Sequence, residues 1–482
     1  MTIPTKPSRK TLGLTGVTIN AMALIAPGVF AWLLYQAQIT GEINGLGSIW
    51  PGVLAALVAA LLTAFSFGEL ARRYPEAGLR SAYHFAEQVF RDSRQPLNPK
   101  IGRFVKFATG WAAHLYYWVY PGVMVAFMGI LADYLLRKLG YQPTPFGQII
   151  LAMSFSAFTG FLALRGITGT TMSSVVLNTI QLTTLVFFSV LAILFRFFNP
   201  FNLLSTEWTN PNISGVFAIV PRGIFFQAAL AMMLMVGFES VTSLGAYATN
   251  PKRDIPRAAI LALIVQGAFS YLLVYFSVGI AMNSQLDLAH SHAPIGELAI
   301  QVGDSLLRGN GYSLMYVLGF TVIIALLGAM LTATNNGVRI SFSMALDSDM
   351  PDLLSVLHPK YATPYYTVII LSIVSAIIGS AGILGGLPTL IGIILASNLG
   401  AFLLYAILGG LTIAAFAGTE SFNWFRHALL PVVGILLNLA LAILALVFGI
   451  GAGGVIAQGG MIGLGLAGFW LIISVLYYLL RR

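Results

Sequence analysis

One stretch decides the fold of this chain: residues 226–257, FQAALAMMLMVGFESVTSLGAYATNPKRDIPR. It begins as an apolar helix long enough to lie inside a bilayer, meets a glycine and a carboxylate at Gly237 and Glu239, and ends in a basic turn with two prolines. A glycine and an ionisable group in the middle of a membrane helix are costly unless the backbone there faces a cavity and not lipid. We therefore predict a broken transmembrane helix with a binding site at the break.

The composition of the 482 residues excludes most classes of soluble protein. Hydrophobic residues make up 58% and charged residues 9%, with a mean hydropathy of +0.86, whereas an average soluble domain is roughly 25% charged. There is no cysteine, and the six histidines show no metal-ligand spacing. We predict an integral membrane protein without a metal or cofactor. We do not expect an enzyme, because the few polar residues form no nucleophile–base set.

Twelve apolar segments have about the length that a spanning helix needs, which is roughly 20 residues. They lie at about 12–38, 49–71, 102–136, 147–164, 171–196, 219–248, 256–282, 312–345, 365–381, 384–412, 429–450 and 457–480. The sequence therefore predicts an all-α membrane protein with twelve transmembrane helices.

The Lys and Arg residues predict the orientation of these helices. With twelve spans and a cytoplasmic N-terminus, 20 of the 25 Lys and Arg residues lie inside and only five lie outside. Basic residues favour the cytoplasmic side, so we expect both termini in the cytoplasm and the protein in the plasma (inner) membrane. The net charge of +9 is explained by this topology and does not indicate nucleic-acid binding.

The first span contains a second interruption, AMALIAPGVFAW at residues 21–32. Its Pro27 cannot donate a backbone hydrogen bond and its Gly28 weakens the helix, although both residues can also merely kink a membrane helix. Interruptions in spans one and six, five spans apart, predict an inverted repeat. The predicted units are a cytoplasmic tail (1–11), helices 1–5 (12–200), helices 6–10 (201–412), and helices 11 and 12 with a short cytoplasmic C-terminus (413–482).

A few polar side chains are candidates for chemistry within the spans. Glu239 could carry a proton, bind an amine, or anchor the unwound backbone. His114, in span three, could bind substrate or carry a proton, or it could simply be packed. Thr332 and Thr334 could offer hydroxyls to Na⁺, or could bond the carbonyls of their own helix.

Four stretches together resemble the amino acid–polyamine–organocation (APC) transporter superfamily, of the amino acid permease type. They are GFESVTSLGAYATNPKRDIPRA in span six, NNGVRISFSMALDSDMPDLLSVLHPKYATP at the end of span eight, FGELARRYPEAGLRSAY at the end of span two, and GVTINAMALIAPGVFAW in span one. The resemblance covers about residues 12–410 and rests on the combination and order of the four stretches.

The resemblance implies a leucine-transporter-type fold, a 5+5 inverted repeat with broken helices 1 and 6 plus two C-terminal helices. It implies that the first break holds a substrate carboxylate and that the second holds an amino group. Pro27 lacks the N–H that the carboxylate would need, so an amine or a modified amino acid stays open as substrate. The substrate-binding residues implied are Leu24, Ala26, Pro27, Gly28, Ala113, His114, Trp118, Met233, Val236, Gly237, Phe238 and Glu239.

The expected function is secondary active transport of a neutral amino acid or a related small amine by alternating access, as a symporter or antiporter. The expected partners are the small-molecule substrate, the lipid bilayer, and H⁺ or Na⁺. Glu239 and His114 are the candidates for proton coupling, and Thr332 and Thr334 for ion coupling. The alternative is a non-transporting membrane receptor or partner subunit of the same fold.

Overall fold

The computed structural model describes residues 12–25, 29–40, 48–76, 82–92, 99–166, 171–198, 221–281, 291, 293–451 and 453–480. Within these ranges some side chains, including that of Leu24, are not described. The predicted site residues Ala26, Pro27 and Gly28 lie outside the described residues.

All regular elements in the described ranges are helical, apart from two isolated β-bridges. The helices are α1 (Leu14–Ile25), α2 (Val29–Thr40), α3 (Ile49–Arg73), α4 (Ala82–Asp92), α5 (Pro99–Lys138), α6 (Pro145–Leu164), α7 (Thr171–Phe198), α8 (Pro221–Met235), α9 (Pro251–Ala281), α10 (Pro294–Leu306), α11 (Gly311–Leu346), α12 (Tyr365–Leu384), α13 (Gly386–Phe416), α14 (Leu430–Gly451) and α15 (Gly454–Leu480). A 3₁₀ helix, Phe238–Ala246, follows α8.

Ten helices in the described part of the chain are long and apolar enough to cross a membrane. They are α3, α5, α6, α7, α9, α11, α12, α13, α14 and α15. The span at α14 also includes the helical turn that precedes it, from Phe425. Each of the ten helices coincides with one of the predicted segments. This confirms a multi-pass, all-helical membrane protein. The first and sixth predicted segments contain shorter helices, α1 with α2 and α8 with the 3₁₀ helix, so the count of twelve spans and the repeat stay predictions.

Two of the long helices, α5 and α13, form the centre of the described structure. In their most apolar windows 78% and 83% of the residues are buried, compared with 11% in α15, which therefore lies at the periphery. The two helices approach closely at Gly400, where a Cβ atom would lie 2.8 Å from the backbone nitrogen of Tyr116. Any larger residue there would push α13 away from α5.

The α-helical geometry of the sixth segment ends where the sequence predicts. α8 ends at Met235, and Gly237 follows with φ of +115°, a left-handed conformation that favours glycine. The 3₁₀ helix then leads to Ala248, which forms a parallel β-bridge with Leu12. The Leu12 N–H donates to the carbonyl of Tyr247 at 3.0 Å, so the chain just before α1 is attached to the segment that follows the break.

Candidate functional site

The carboxylate of Glu239 lies at the break and accepts hydrogen bonds from three directions. Its Oε1 accepts from the hydroxyl of Tyr117 on α5 at 2.5 Å. Its Oε2 accepts from the hydroxyl of Tyr405 on α13 at 3.2 Å and from the backbone N–H of Gly237 at 3.1 Å. Only 6% of the residue is exposed. The carboxylate therefore joins the unwound backbone to the two central helices.

Aromatic rings surround this carboxylate. The ring of Phe238 lies edge-on to Phe67 at 6.0 Å between centroids and tilted against Tyr405 at 5.5 Å. Tyr116 and Tyr120 continue the aromatic surface on α5, with a centroid separation of 5.2 Å. Aromatic faces attract cations, so a carboxylate surrounded by such rings suits an ammonium group.

The other buried acids of the described chain differ from Glu239 in position and partners. Glu69 and Asp133 lie near the ends of α3 and α5, and each pairs with an arginine about one turn further along. Asp254 caps the start of α9 by accepting from the backbone N–H of Asn250. Within the described residues Glu239 accepts only from neutral donors, at a point where a membrane segment changes its helix type. These features favour a role for Glu239 beyond packing.

Buried side-chain amides hold the interrupted segments in place. Four such amides donate to backbone carbonyls of α1, α2 and α8: Asn178 to Ile19 at 3.0 Å, Gln266 to Met22 at 3.4 Å, Gln227 to Gln38 at 2.8 Å, and Asn398 to Ala229 at 2.7 Å. These contacts were not predicted from the sequence. The signal for them is an amide within an otherwise apolar membrane helix, where an unsatisfied polar group would be costly.

His114 has a different environment from Glu239. It is 1% exposed, and its ring stacks on Trp118 at 4.3 Å and on Trp470 of α15 at 5.0 Å. Within the described ranges, neither ring nitrogen has a hydrogen-bonding partner. The contacts of His114 are to α5 and α15, whereas Glu239 contacts α5 and α13. The structure therefore does not bring the two predicted titratable groups into contact.

The remaining predicted site residues differ in their burial. Ala113 on α5 and Met233, Val236 and Phe238 around the break are fully buried in the core. Thr334 on α11 is also buried, and its hydroxyl has no partner in the part of the chain that the structure describes. Thr332 is half-buried. Among the described residues, neither threonine donates to the Glu239 carboxylate, and a sodium site at them stays a prediction.

One cation on α11 lies near the carboxylate. Arg339 is close enough to Glu239 and to the hydroxyl of Tyr117 for a Coulombic interaction, although no direct contact joins them. In the sequence this arginine counts only among the basic residues that predict the orientation.

A second polar cluster lies where α4, α5 and the end of α11 meet. His84, Glu87 and Asp347 are close enough together to hold a metal ion. However, the ammonium of Lys106 already contacts Glu87 at 3.1 Å and Asp347 at 2.8 Å, so the negative charge has a partner. The arrangement therefore does not favour a metal site.

The neighbouring Tyr83 donates to Asp349 at 2.6 Å and ties α4 to the loop after α11. Burial raises the pKa of the Asp349 carboxyl above its usual value, against the opposing effect of the Tyr83 hydrogen bond. Burial, and then the bond to Asp349, raise the pKa of the Tyr83 phenol. Tyr83 is therefore a neutral donor, and the bond connects the two elements without an ion pair.

Comparison with characterised proteins identifies relatives among permeases. A branched-chain amino acid permease of Bacillus subtilis is 24% identical over 425 residues, which is 83% of this chain and 80% of that protein. A vacuolar cationic amino acid transporter of Arabidopsis thaliana is 26% identical over 373 residues, 75% of this chain and 55% of that protein. A low-affinity putrescine importer of Escherichia coli K12 is 24% identical over 371 residues, 76% of this chain and 74% of that protein.

The family model for amino acid permeases matches residues 10–476, nearly the whole chain. This range includes both predicted interruptions, the Glu239 cluster and most of the peripheral helix α15. The family and these relatives are transporters and not enzymes, which confirms the expectation from the sequence. The chain belongs to the amino acid permease family.

Proposed function

We propose that this protein is a secondary active transporter that moves an amino acid or a related small amine across the membrane by alternating access. The family supports transport, and the relatives named above handle amino acids or putrescine, which share a primary ammonium group. A site that recognises an ammonium is therefore the first requirement that the structure has to meet.

The observation that carries the proposal is the carboxylate of Glu239 at the break. In a low-dielectric site a carboxylate attracts an ammonium strongly, and the rings of Phe238 and Tyr405 add a cation–π contribution. Because α8 ends at Met235, the last carbonyls of this helix lack α-helical partners and offer further acceptors for the same group. The substrate ammonium would bind between these acceptors and the aromatic surface.

Alternating access follows from what Glu239 connects. Its three donors belong to the break, to α5 and to α13, so substrate bound there contacts the interrupted segment and the central helices together. Movement of the interrupted segments relative to α5 and α13 would open the site to one side of the membrane and then to the other. The hydrogen bonds of Glu239 to Tyr117 and Tyr405 cross the boundary along which the segments would move.

Proton coupling is the finer part of the proposal. Two phenols and an amide N–H all donate to Glu239, an arrangement that suits an ionised carboxylate. Protonation would remove the charge that strengthens these three hydrogen bonds, which would link proton binding to the strength of the contacts between helices. His114 lacks a hydrogen-bonded path to this group within the described residues, so we assign the proton to Glu239.

The test is uptake by purified protein in proteoliposomes under an imposed pH gradient. Glu239→Gln keeps the size of the side chain and removes the charge, and we expect it to abolish pH-driven uptake. Glu297→Gln is the matched control, because Glu297 lies on α10 in an ion pair with Lys138 at 2.8 Å. Unchanged uptake and unchanged pH dependence in Glu239→Gln would refute both the site and the proton carrier.

A further inference from the structure

The first turns of α9 carry a cluster of exposed basic residues: Lys252, Arg253 and Arg257. Within the described residues none of the three forms an ion pair. The acid among them, Asp254, is buried, and its carboxylate accepts from the backbone N–H of Asn250 at 3.3 Å. The exposed surface of this helix end is therefore positively charged.

Several other basic residues on the same predicted side of the membrane are neutralised by acids. Their ion pairs are Arg72 with Glu69, Arg73 with Asp92, Arg91 with Glu87, and Lys106 with both Glu87 and Asp347. The basic cluster of α9 differs from them because its charge is left for an anion from outside the protein.

The two arginines of the cluster lie on a face of α9 that is exposed along the membrane. Exposed positions follow helical spacing along this face: Arg253, Arg257, Leu261 and Ile264. Leu261 is 40% exposed and Ile264 is 43% exposed, and exposed apolar side chains on a spanning helix contact lipid tails. The arginines therefore continue a lipid-facing stripe towards the end of the helix.

The depth of the arginines corresponds to the lipid headgroups. The spanning segment Pro251–Ala281 contains 31 residues, about 46 Å of helix, whereas the hydrocarbon core is about 30 Å thick. Arg257 precedes the lipid-facing Leu261 by about one turn, or roughly 6 Å. Tyr247, just before α9, is 47% exposed and is of a residue type enriched at the membrane interface. Headgroup phosphates are therefore the anions nearest to the cluster.

We propose that Lys252, Arg253 and Arg257 bind the headgroup phosphates of anionic phospholipids in the leaflet at this end of α9. A guanidinium can donate two parallel hydrogen bonds to one phosphate, and the lysine adds a point charge. The partial positive charge at the start of a helix favours an anion at the same place.

A phospholipid fits this surface better than a soluble anion does. Leu261 and Ile264 follow the arginines on the same face and offer apolar contacts that only an acyl chain would use. The bound lipid would also hold the start of α9, which follows the 3₁₀ helix Phe238–Ala246 after the break. The composition of the leaflet would then act on the segment next to Glu239.

The test is equilibrium binding of acyl-labelled phosphatidylglycerol to the purified full-length protein in a neutral detergent. Phosphatidylcholine with the same label is the comparison lipid, since it has a phosphate but no net charge. We expect the wild type to bind phosphatidylglycerol at least fivefold more tightly, with a preference that decreases as salt increases. Each basic residue near an anionic surface contributes roughly a factor of five, so the combined Lys252→Gln, Arg253→Gln and Arg257→Gln variant should bind it at least tenfold more weakly.

The matched control removes three exposed basic residues elsewhere on the same predicted side: Arg165→Gln, Lys360→Gln and Arg426→Gln. We expect this variant to keep the affinity of the wild type for phosphatidylglycerol within about twofold. An equal loss in the control and in the α9 variant would show diffuse attraction by net charge, and would overturn a site at α9.

Other outcomes would also overturn the inference, while leaving the transporter proposal intact. Equal affinity of the wild type for the two lipids would show that the anionic headgroup is not recognised. A folded α9 variant that keeps the preference would assign the headgroup to other residues. Displacement of the labelled lipid by glycerol 3-phosphate or hexaglutamate as effectively as by phosphatidylglycerol would make the occupant a soluble anion or an acidic protein segment. If the combined variant does not fold, Arg257→Gln alone, with an expected loss of about fivefold, and the wild-type comparison decide.

Discussion

Tyr117 and His114 lie three residues apart on α5, and both are almost completely buried. Tyr117 donates a 2.5 Å hydrogen bond to the carboxylate at the break, whereas His114 stacks between two tryptophans without a hydrogen bond in the described part of the chain. The two side chains are about 60° apart around α5, and they diverge enough for Tyr117 to contact the interrupted segment and for His114 to pack on the peripheral helix α15. The difference teaches that burial of a titratable group does not identify a functional site. The partners of that group do.

The largest effect is expected when the contact on the Glu239 side is removed. Tyr117→Phe deletes the hydroxyl that donates to Glu239 and leaves the ring in place. A hydrogen bond to a charged group contributes about 1.5–3 kcal/mol, so we expect initial uptake rates to fall roughly tenfold or more. Uptake in proteoliposomes measures this, with the melting temperature as a check on folding. A rate close to that of the wild type would remove the functional distinction between Tyr117 and His114.

A smaller effect is expected for Tyr405→Phe. The Tyr405 hydroxyl lies 3.2 Å from Oε2 of Glu239, and the same oxygen keeps its bond from the Gly237 N–H. We expect a several-fold reduction in uptake, smaller than that of Tyr117→Phe. In the double variant the two losses should not add, because both phenols serve one carboxylate. Additive losses would show that the phenols act independently.

The smallest effect is expected at His114, which packs on α15. His114→Phe keeps an aromatic ring between Trp118 and Trp470 and removes only nitrogens that have no partner in the described ranges. We expect uptake and its pH dependence to match those of the wild type, measured across a series of imposed pH gradients. A lost or displaced pH dependence in a folded His114→Phe protein would instead make His114 the proton carrier.

The sequence predicts the fold through local patterns. Apolar length locates the ten long helices, and a glycine followed by a carboxylate locates the break at Gly237. These features depend on residues close together in the chain, so they can be recognised without tertiary contacts. The interruption of the first span at residues 26–28 lies outside the described residues and stays a prediction.

The site is less accessible from the sequence because its partners are distant in the chain. Tyr405 lies 166 residues after Glu239 and was not predicted, although Glu239 itself was. The resemblance implied His114 and Trp118 as substrate-binding residues together with Glu239, whereas the hydrogen bond of Tyr117 to Glu239 depends on a contact between distant segments. The Coulombic interaction of Arg339 with Glu239 and Tyr117 likewise joins distant parts of the chain and could not be derived from spacing.

The most direct test of the account is protection of an introduced thiol by substrate. The chain has no cysteine, so a single Cys variant reports on one position without background. Thr242→Cys lies next to Glu239, whose carbonyl accepts from the Thr242 hydroxyl at 3.0 Å, and Ser474→Cys on α15 is a similarly buried control near Trp470. Saturating substrate should slow thiol modification several-fold in Thr242→Cys and leave Ser474→Cys unchanged. Equal rates with and without substrate in Thr242→Cys, or protection of Ser474→Cys instead, would contradict a binding site at the break.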